Sequence, residues 1–161
     1  MAVRINRAFT AHIMPGGDNV TKKQEAVLQA IYENAEMGRE TIFHLRRKAK
    51  GSFSQLLKEQ QASYDAILTR SSEMLREMGV TPRRPPWYQR MMTDMSMDMQ
   101  TARNATPTHL SQMLIRGATM GVSDLKKELR LHPDVAQPVR DLGEELLKIE
   151  QAQVRQWMNT L

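Results

Sequence analysis

The sequence contains no cysteine among its 161 residues. That absence excludes disulfide bonds, cysteine nucleophiles, thiolate zinc sites and iron–sulfur clusters. Aromatic residues make up only 5% of the chain, and no apolar run approaches the roughly 18 residues that a membrane span requires. The first residues also lack the continuous apolar stretch of a secretory signal peptide. We therefore expect a cytoplasmic protein with no membrane partner.

The net charge of +5 comes mainly from the N-terminal third of the chain. Arg46, Arg47, Lys48 and Lys50 lie where we expect the first helix to end. Cations at such a position interact favourably with the last free carbonyl groups of a helix. No aromatic residue stands directly beside them to stack on bases. We interpret the cluster as a solvated helix end and expect no nucleic-acid partner.

Four long stretches carry apolar residues at alternating three- and four-residue steps, which is typical of helices that bury one face. The first begins near Thr21, which can form a capping box with Gln24, and Gly51 would end it. Ser52 would cap the second, which Gly79 closes. The expected core positions of these two helices are Leu28, Ile31, Ala35, Gly38, Ile42, Leu45, Phe53, Leu57, Gln60, Tyr64, Ile67, Ser71, Met74 and Met78.

The other two stretches flank His132-Pro133-Asp134, a sequence that favours a tight turn. Asp134 and Gln137 form a variant of the capping box for the last helix. The expected core positions of the third and fourth helices are Leu110, Met113, Leu114, Gly117, Met120, Gly121, Leu125, Leu129, Val135, Val139, Leu142, Leu146, Ile149, Val154, Trp157 and Leu161.

The middle of the chain differs from these stretches, because residues 80–107 begin with a proline-rich segment and continue as a short methionine-rich helix from about Trp87 to Thr101. A connection this long can travel along a bundle, which a simple up-and-down arrangement does not need. We predict an all-α fold, a ferritin-like four-helix bundle of two antiparallel helical hairpins with a short extra helix in the crossover. Residues 1–19 would form a flexible N-terminal tail and residues 20–161 a single domain.

Three stretches resemble uncharacterised bacterial ferritin-like four-helix-bundle proteins of Gram-positive type, which carry a domain of unknown function. They are IYENAEMGRETIFHL and SFSQLLKEQQASYDAIL in the first hairpin, and HLSQMLIRGATMGVSDLKKEL in the third helix. The resemblance covers about residues 20–161. It implies the fold, and it implies no activity, since a fold does not specify a function.

A ferritin-like fold raises the question of a di-iron site, which uses inward-facing Glu and Glu-x-x-His ligands. The sequence has no Glu-x-x-His, and the nearest strings, Glu40…His44 and Glu128…His132, are each one residue too long. Helical register also turns Glu33, Glu36, Glu40, His44 and Glu59 away from the predicted core.

Asp124 and Glu150 are the acidic residues that lie on or beside a predicted core stripe. Two carboxylates without histidine make a poor iron site. They are nevertheless the metal-site candidates that the sequence offers for iron, and the expected reading is that no cofactor is bound.

The methionine-rich segment offers a second metal alternative. Met92, Met95 and Met99 share one helical face, and thioether sulfur suits Cu(I). The same face is more simply explained by packing, because methionine fills irregular gaps. Trp87, Tyr88, Met91 and Met95 are the residues that we expect to contact a partner.

Several polar and small residues interrupt the predicted core. Gln60, Ser71 and Gln153 would form either a satisfied polar layer or the lining of an internal cavity. Gly117 and Gly121 allow close helix packing, or they make room for a ligand.

No catalytic constellation emerges from the sequence. We expect a non-enzymatic protein that acts through protein contacts, as a homo-oligomer or with a protein partner. A metal-binding ferritin-like protein is the alternative.

Overall fold

The computed structural model describes residues 17–84, 88–90, 93–94 and 106–161, and every regular element within these ranges is α-helical. The prediction of an all-α fold is confirmed. None of the helices in these ranges has both the length and the apolar character that crossing a membrane would require. The long helices are α1 (Gly17–Arg46), α2 (Gly51–Glu77), α3 (Pro107–Leu131) and α4 (Gln137–Met158).

The contacts between helix ends define how the four helices are arranged. Helix α1 packs along α2, α3 packs along α4, and α1 also contacts both α3 and α4. Lys23, near the start of α1, pairs with Asp134 in the α3–α4 turn at 2.8 Å. At the opposite end, Thr108 of α3 donates a hydrogen bond to the Thr160 carbonyl oxygen beyond α4. The connection from α2 to α3 therefore joins opposite ends of the helix assembly.

Most of the predicted core positions are buried, because each helix turns its apolar face toward the shared interior. Met120 and Leu161 are exceptions, with 61% and 59% of their surface exposed. In α3 the small residue Ala118 faces the interior, and Met120, two positions later, is largely exposed at the edge of the helix assembly. In α4 the buried positions after Leu146 continue at Glu150, not at the predicted Ile149, which is only partly buried.

Helix α1 buries more of its surface than one apolar stripe accounts for. Gln24, Asn34 and Glu36 are each less than 10% exposed, in addition to the predicted core residues. The reason is that α1 contacts three other helices and the start of the crossover. The prediction that Glu36 faces away from the interior was wrong, whereas Glu59 is exposed as expected.

The predicted helix boundaries need correction at the first hairpin. Helix α1 begins at Gly17, so Thr21 lies inside it and does not cap it. It ends at Arg46, and Gly51 starts α2 with a positive φ of 59°. Ser52 consequently lies inside α2, and the chain reverses direction through Gly51, whose missing side chain permits that backbone conformation.

Two further turn predictions have different outcomes. Gly79 closes α2 with a φ of 77°, and the backbone N–H of Val80 donates to the Leu75 carbonyl oxygen at 2.9 Å, which confirms the predicted glycine stop. Asp134 does not cap α4, because its carboxylate pairs with Lys23 and the residue preceding α4 is Ala136.

Glycine allows the helices to approach closely at the level of the candidate site. A Cβ atom on Gly38 of α1 would overlap the Tyr64 ring of α2, and one on Gly121 of α3 would overlap the Asn34 side-chain amide of α1. A Cβ atom on Gly117, one helical turn before Gly121, would meet no atom of the described residues within 4 Å. Gly121 therefore serves packing, whereas Gly117 leaves space.

Alanine substitutions at these two glycines are expected to have opposite effects. Gly121→Ala displaces the buried Asn34 amide and should lower the free energy of unfolding by about 1–3 kcal/mol. Gly117→Ala should raise it by about 0.5–1 kcal/mol, since alanine favours the helix and meets no obstacle. Urea denaturation of the two variants measures both changes. Equal stability of the two proteins would contradict the close approach of α3 to Asn34.

Candidate functional site

A polar cluster lies near the middle of the core and draws one residue from each of three helices. The Asn34 side-chain amide of α1 donates a hydrogen bond to Glu150 Oε2 of α4 at 3.3 Å. The Tyr64 hydroxyl of α2 donates to Glu150 Oε1 at 3.4 Å. All three side chains are buried, and Glu150 is only 1% exposed. We call Asn34, Tyr64 and Glu150 the central polar cluster.

The Glu150 carboxyl group is held in its neutral form at neutral pH. Burial raises its pKa to about 8, although the hydrogen bonds from Tyr64 and Asn34 act in the opposite direction. Within the described ranges no Lys, Arg or His forms an ion pair with it. Burial and the adjacent carboxyl group also raise the pKa of Tyr64 well above its usual value. The cluster is therefore a set of neutral hydrogen-bonding groups.

The central polar cluster forms the floor of a cleft of about 270 Å³ between α1 and α3. Apolar side chains form most of its walls, and Gly117 contributes bare backbone where another residue would fill the space. Arg116 and Asp94 line it as a cation and an anion. The wall residues on the apolar side are Met37, Ile42, Met113, Leu114, Ala118, Met120 and Trp157.

A second set of hydrogen bonds supports the cleft from the α2 side. The indole N–H of Trp157 donates to Gln60 Oε1 at 2.8 Å, and Gln60 Nε2 donates to Gln156 Oε1 at 2.8 Å. The Ser71 hydroxyl donates to the Ile67 carbonyl oxygen of its own helix. Gln60 and Ser71 therefore each have hydrogen-bond partners, as the interpretation of a satisfied polar layer requires, although they bond to different groups.

The third polar position in the predicted core, Gln153, is different. It lies on the same face of α4 as Glu150 and is 3% exposed. Its side-chain oxygen is buried without a hydrogen-bond partner among the described residues.

Asp124, the other acidic candidate, does not join Glu150. It is exposed and lines a separate groove of about 570 Å³ between α1 and α3, together with Glu25, Glu33 and Glu128. Lys22 and Lys127 line the same groove and balance part of its negative charge. Within the described ranges no three His, Cys, Asp or Glu side chains are arranged to hold a metal ion.

An ion pair between the exposed Arg84 and the buried Glu36 attaches the start of the crossover to α1. Arg84 donates to Glu36 Oε1 at 2.6 Å, and its guanidinium group lies over the Tyr88 ring at 5.0 Å from the ring centre. Tyr88 is 3% exposed. Burial and the nearby Glu40 carboxylate raise its pKa to about 12. The expected contact residue Tyr88 is therefore packed inside this chain.

The remaining candidates of the crossover are Trp87, Met91, Met92, Met95 and Met99, and they lie outside the described residues. The candidate site is formed instead by residues that the sequence placed in or near the core. Tyr64 was a predicted core residue, and Glu150 was noted only as a possible metal ligand. No pattern in the sequence indicated Asn34 as a residue of the site. Leu146, Glu150, Gln153 and Trp157 follow one another at four- and three-residue steps. This pattern could have revealed that α4 buries polar residues on its inner face.

The protonated state of Glu150 predicts how stability depends on pH. The unfolded carboxyl group loses its proton above about pH 4.5, whereas the folded one keeps it until about pH 8. The folded state then binds more protons, so the free energy of unfolding should fall across this range. The loss is on the order of 5 kcal/mol, since one pKa unit is worth about 1.4 kcal/mol.

Glu150→Gln should remove this part of the pH dependence, because its neutral amide has no proton to lose. Glu144→Gln, an exposed position on the same helix, is the matched control and should follow the wild-type profile. Urea denaturation between about pH 5 and 8 gives the comparison. An unchanged pH profile in Glu150→Gln would show that the carboxyl group is ionised in the folded protein.

Comparison with known proteins finds no family model, no curated protein and no solved structure that matches this chain. The chemistry of the central polar cluster and its cleft is consequently the basis for a functional proposal.

Proposed function

We propose that the protein is a cytoplasmic, non-enzymatic, ferritin-like helical-bundle protein that acts by binding, and that the cleft between α1 and α3 is its binding site. The contact of Lys23 with Asp134 at one end, and of Thr108 with Thr160 at the other, supports two antiparallel hairpins joined by a full-length crossover.

The observation that carries the proposal is a concave apolar site with a polar floor. Small-molecule sites are commonly lined by hydrophobic side chains, with a few converging polar groups that fix orientation. The cleft matches this description through its apolar walls and the central polar cluster. It also has an open place at Gly117, where a side chain would fit without collision. A fully packed core would leave no such space.

Binding accounts for the chemistry of the cleft better than catalysis does. Its floor presents a single carboxyl group, and among the described residues no histidine lines it. The described hydroxyl in its lining besides Tyr64 is Thr41, which donates to the Met37 carbonyl oxygen of its own helix. A nucleophile beside a base, which covalent catalysis needs, is thus not among these groups.

Protein contact is a second candidate function, in which the chain forms a homo-oligomer or binds a protein partner. It is favoured by large apolar side chains that are exposed on the helices, since an oligomer or a bound partner would cover them. They include Phe43, Leu131 and Met158, which are 44%, 58% and 56% exposed. Light scattering coupled to size-exclusion chromatography tests the oligomer directly. A strict monomer that captures no protein would remove this candidate.

Metal binding is the alternative that the ferritin-like proposal raises, and the donor set of the cluster does not fit it. A di-iron site needs several carboxylates and histidines facing each other. The cluster offers one neutral carboxyl group, an amide and a phenol.

We expect untagged protein, purified without chelator, to contain iron, manganese and copper well below one equivalent per chain. Elemental analysis by mass spectrometry measures this. Stoichiometric metal that is lost in Glu150→Gln would overturn the assignment of the cleft as an organic-ligand site. Metal retained in that variant would point to the methionine-rich segment.

The binding proposal is tested with ethylbenzene, an apolar probe without hydrogen-bonding groups. We expect saturable shifts of the methyl NMR signals of Met37, Met113 and Met120 in protein labelled with ¹³C at the methionine methyl groups, because these residues line the cleft. Gly117→Leu should abolish the shifts, since its side chain occupies the open place. Thr119→Leu adds an apolar side chain on the exposed side of α3 and should leave them unchanged. Shifts that survive in Gly117→Leu would contradict the proposal.

A further inference from the structure

When the Glu150 carboxyl group is neutral, the central polar cluster contains one more O–H donor than the hydrogen bonds among its three residues use. Glu150 receives one hydrogen bond from Asn34 and one from Tyr64. A neutral carboxyl group also carries an O–H of its own, which needs an acceptor. If the O–H of Glu150 donates to the Tyr64 oxygen instead, then the hydroxyl hydrogen of Tyr64 needs an acceptor. The hydrogen bonds among these three residues provide no acceptor for one O–H in either arrangement.

The neutral state of the carboxyl group follows from its surroundings. An ionised carboxylate at 1% exposure would require a cation beside it, and the described residues supply none in contact. The cations nearest in sequence to this part of α4 are Lys148 and Arg155, and neither of them lines the cleft. The neutral Glu150 carboxyl group can therefore donate a hydrogen bond at neutral pH.

The size and walls of the cleft limit which bound molecule can supply the hydrogen-bond acceptor. Its volume of about 270 Å³ lies just below the common range for small-molecule sites, about 300–1,000 Å³. It is therefore suited to a compact molecule and too small for a large cofactor. Arg116 and Asp94 line the cleft with opposite charges, so its lining favours neither an anion nor a cation. The methionine side chains of its walls adapt to irregular apolar shapes.

We propose that the cleft binds a compact, neutral, mainly apolar molecule with one hydrogen-bond acceptor, such as a ketone or ester carbonyl, and that the floor O–H of Glu150 or Tyr64 donates to this acceptor. The inference rests on the proposed function, because it specifies the ligand class of the same cleft. The carbonyl oxygen would lie against the central polar cluster, and the apolar remainder would lie along the methionine side chains toward Gly117.

The experiment compares three probes of similar size: acetophenone, which has a carbonyl acceptor, ethylbenzene, which has none, and 1-phenylethylamine, which is a cation. Each is titrated into ¹³C-methionine-labelled protein at about pH 6.5, below the folded-state pKa of Glu150. Acetophenone should bind roughly five- to tenfold more tightly than ethylbenzene, which is the effect of one net hydrogen bond. The amine should bind more weakly than both.

Substitutions at Glu150 and Tyr64 test whether their O–H groups provide the donor. Glu150→Leu alone leaves the Tyr64 hydroxyl free to donate, so it is combined with Tyr64→Phe, which removes the second O–H group. The double variant should make acetophenone and ethylbenzene bind equally, with ethylbenzene binding retained. Glu150→Gln keeps an N–H donor and should retain most of the preference for acetophenone. Because Gln and Leu both replace a buried carboxyl group, the two variants control each other for stability.

The outcomes distinguish failure of the proposed binding function from failure of this inference about the ligand class. If ethylbenzene and acetophenone both fail to bind the wild-type protein, then the proposed function fails with the inference. If both bind with equal affinity, the cleft is a site but the inference is wrong. Tighter binding of the amine would also overturn it, since that result would show that a carboxylate, Glu150 or Asp94, makes the cleft a cation site. A preference for acetophenone that persists when Glu150→Leu is combined with Tyr64→Phe would show that the donor lies elsewhere.

Discussion

The burial of one carboxyl group in the middle of the core constrains much of what surrounds it. Glu150 can occupy an apolar interior only if it stays protonated and its oxygens receive hydrogen bonds. Tyr64 and Asn34 meet that requirement from two other helices. Each of these partners needs space in turn, and the glycines at positions 38 and 121 provide it. Helix spacing, residue choice and protonation are thus linked at a single level of the fold.

The cleft follows from the same arrangement. Polar side chains that reach across a core prevent the helices from packing on apolar groups alone, and α3 is held at a distance set by the Asn34 amide. Around Gly117 that distance is not filled by a side chain of the described residues. The result is an apolar recess that ends on neutral hydrogen-bonding groups, a combination suited to holding an uncharged molecule in one orientation.

The sequence predicted the all-α fold and most of the core, because alternating three- and four-residue steps report directly on the buried face of a helix. It predicted the end of α2 at Gly79 for an equally local reason, since a positive φ favours glycine. It failed where burial depends on distant residues. Glu36 is covered by Arg84, which lies 48 positions away in sequence. Helical register within α1 alone predicted that the Glu36 side chain would face solvent.

The candidate site was only partly predictable for a related reason. Ile149 and Val154 are apolar, so a stripe chosen for hydrophobicity passes through them, whereas the helix buries Glu150 and Gln153 one position away. The apolar residues and the residues on the buried face of α4 are therefore different there. The buried Glu150 carboxyl group is accommodated because it has hydrogen-bond partners on α1 and α2. Asn34 is identified by those contacts, which no pattern within α1 reveals.

Under the proposed function, Gly117 places the protein at a trade-off between stability and ligand binding. Glycine within a helix makes the fold less stable than alanine does by roughly 1 kcal/mol, and no atom of the described residues prevents alanine at this position. Selection for stability alone would favour its replacement, and a further increase in side-chain size would then close the recess step by step. The chain is therefore only a few substitutions away from a more robust protein with a solid interior, and directed evolution under thermal selection should move it in that direction.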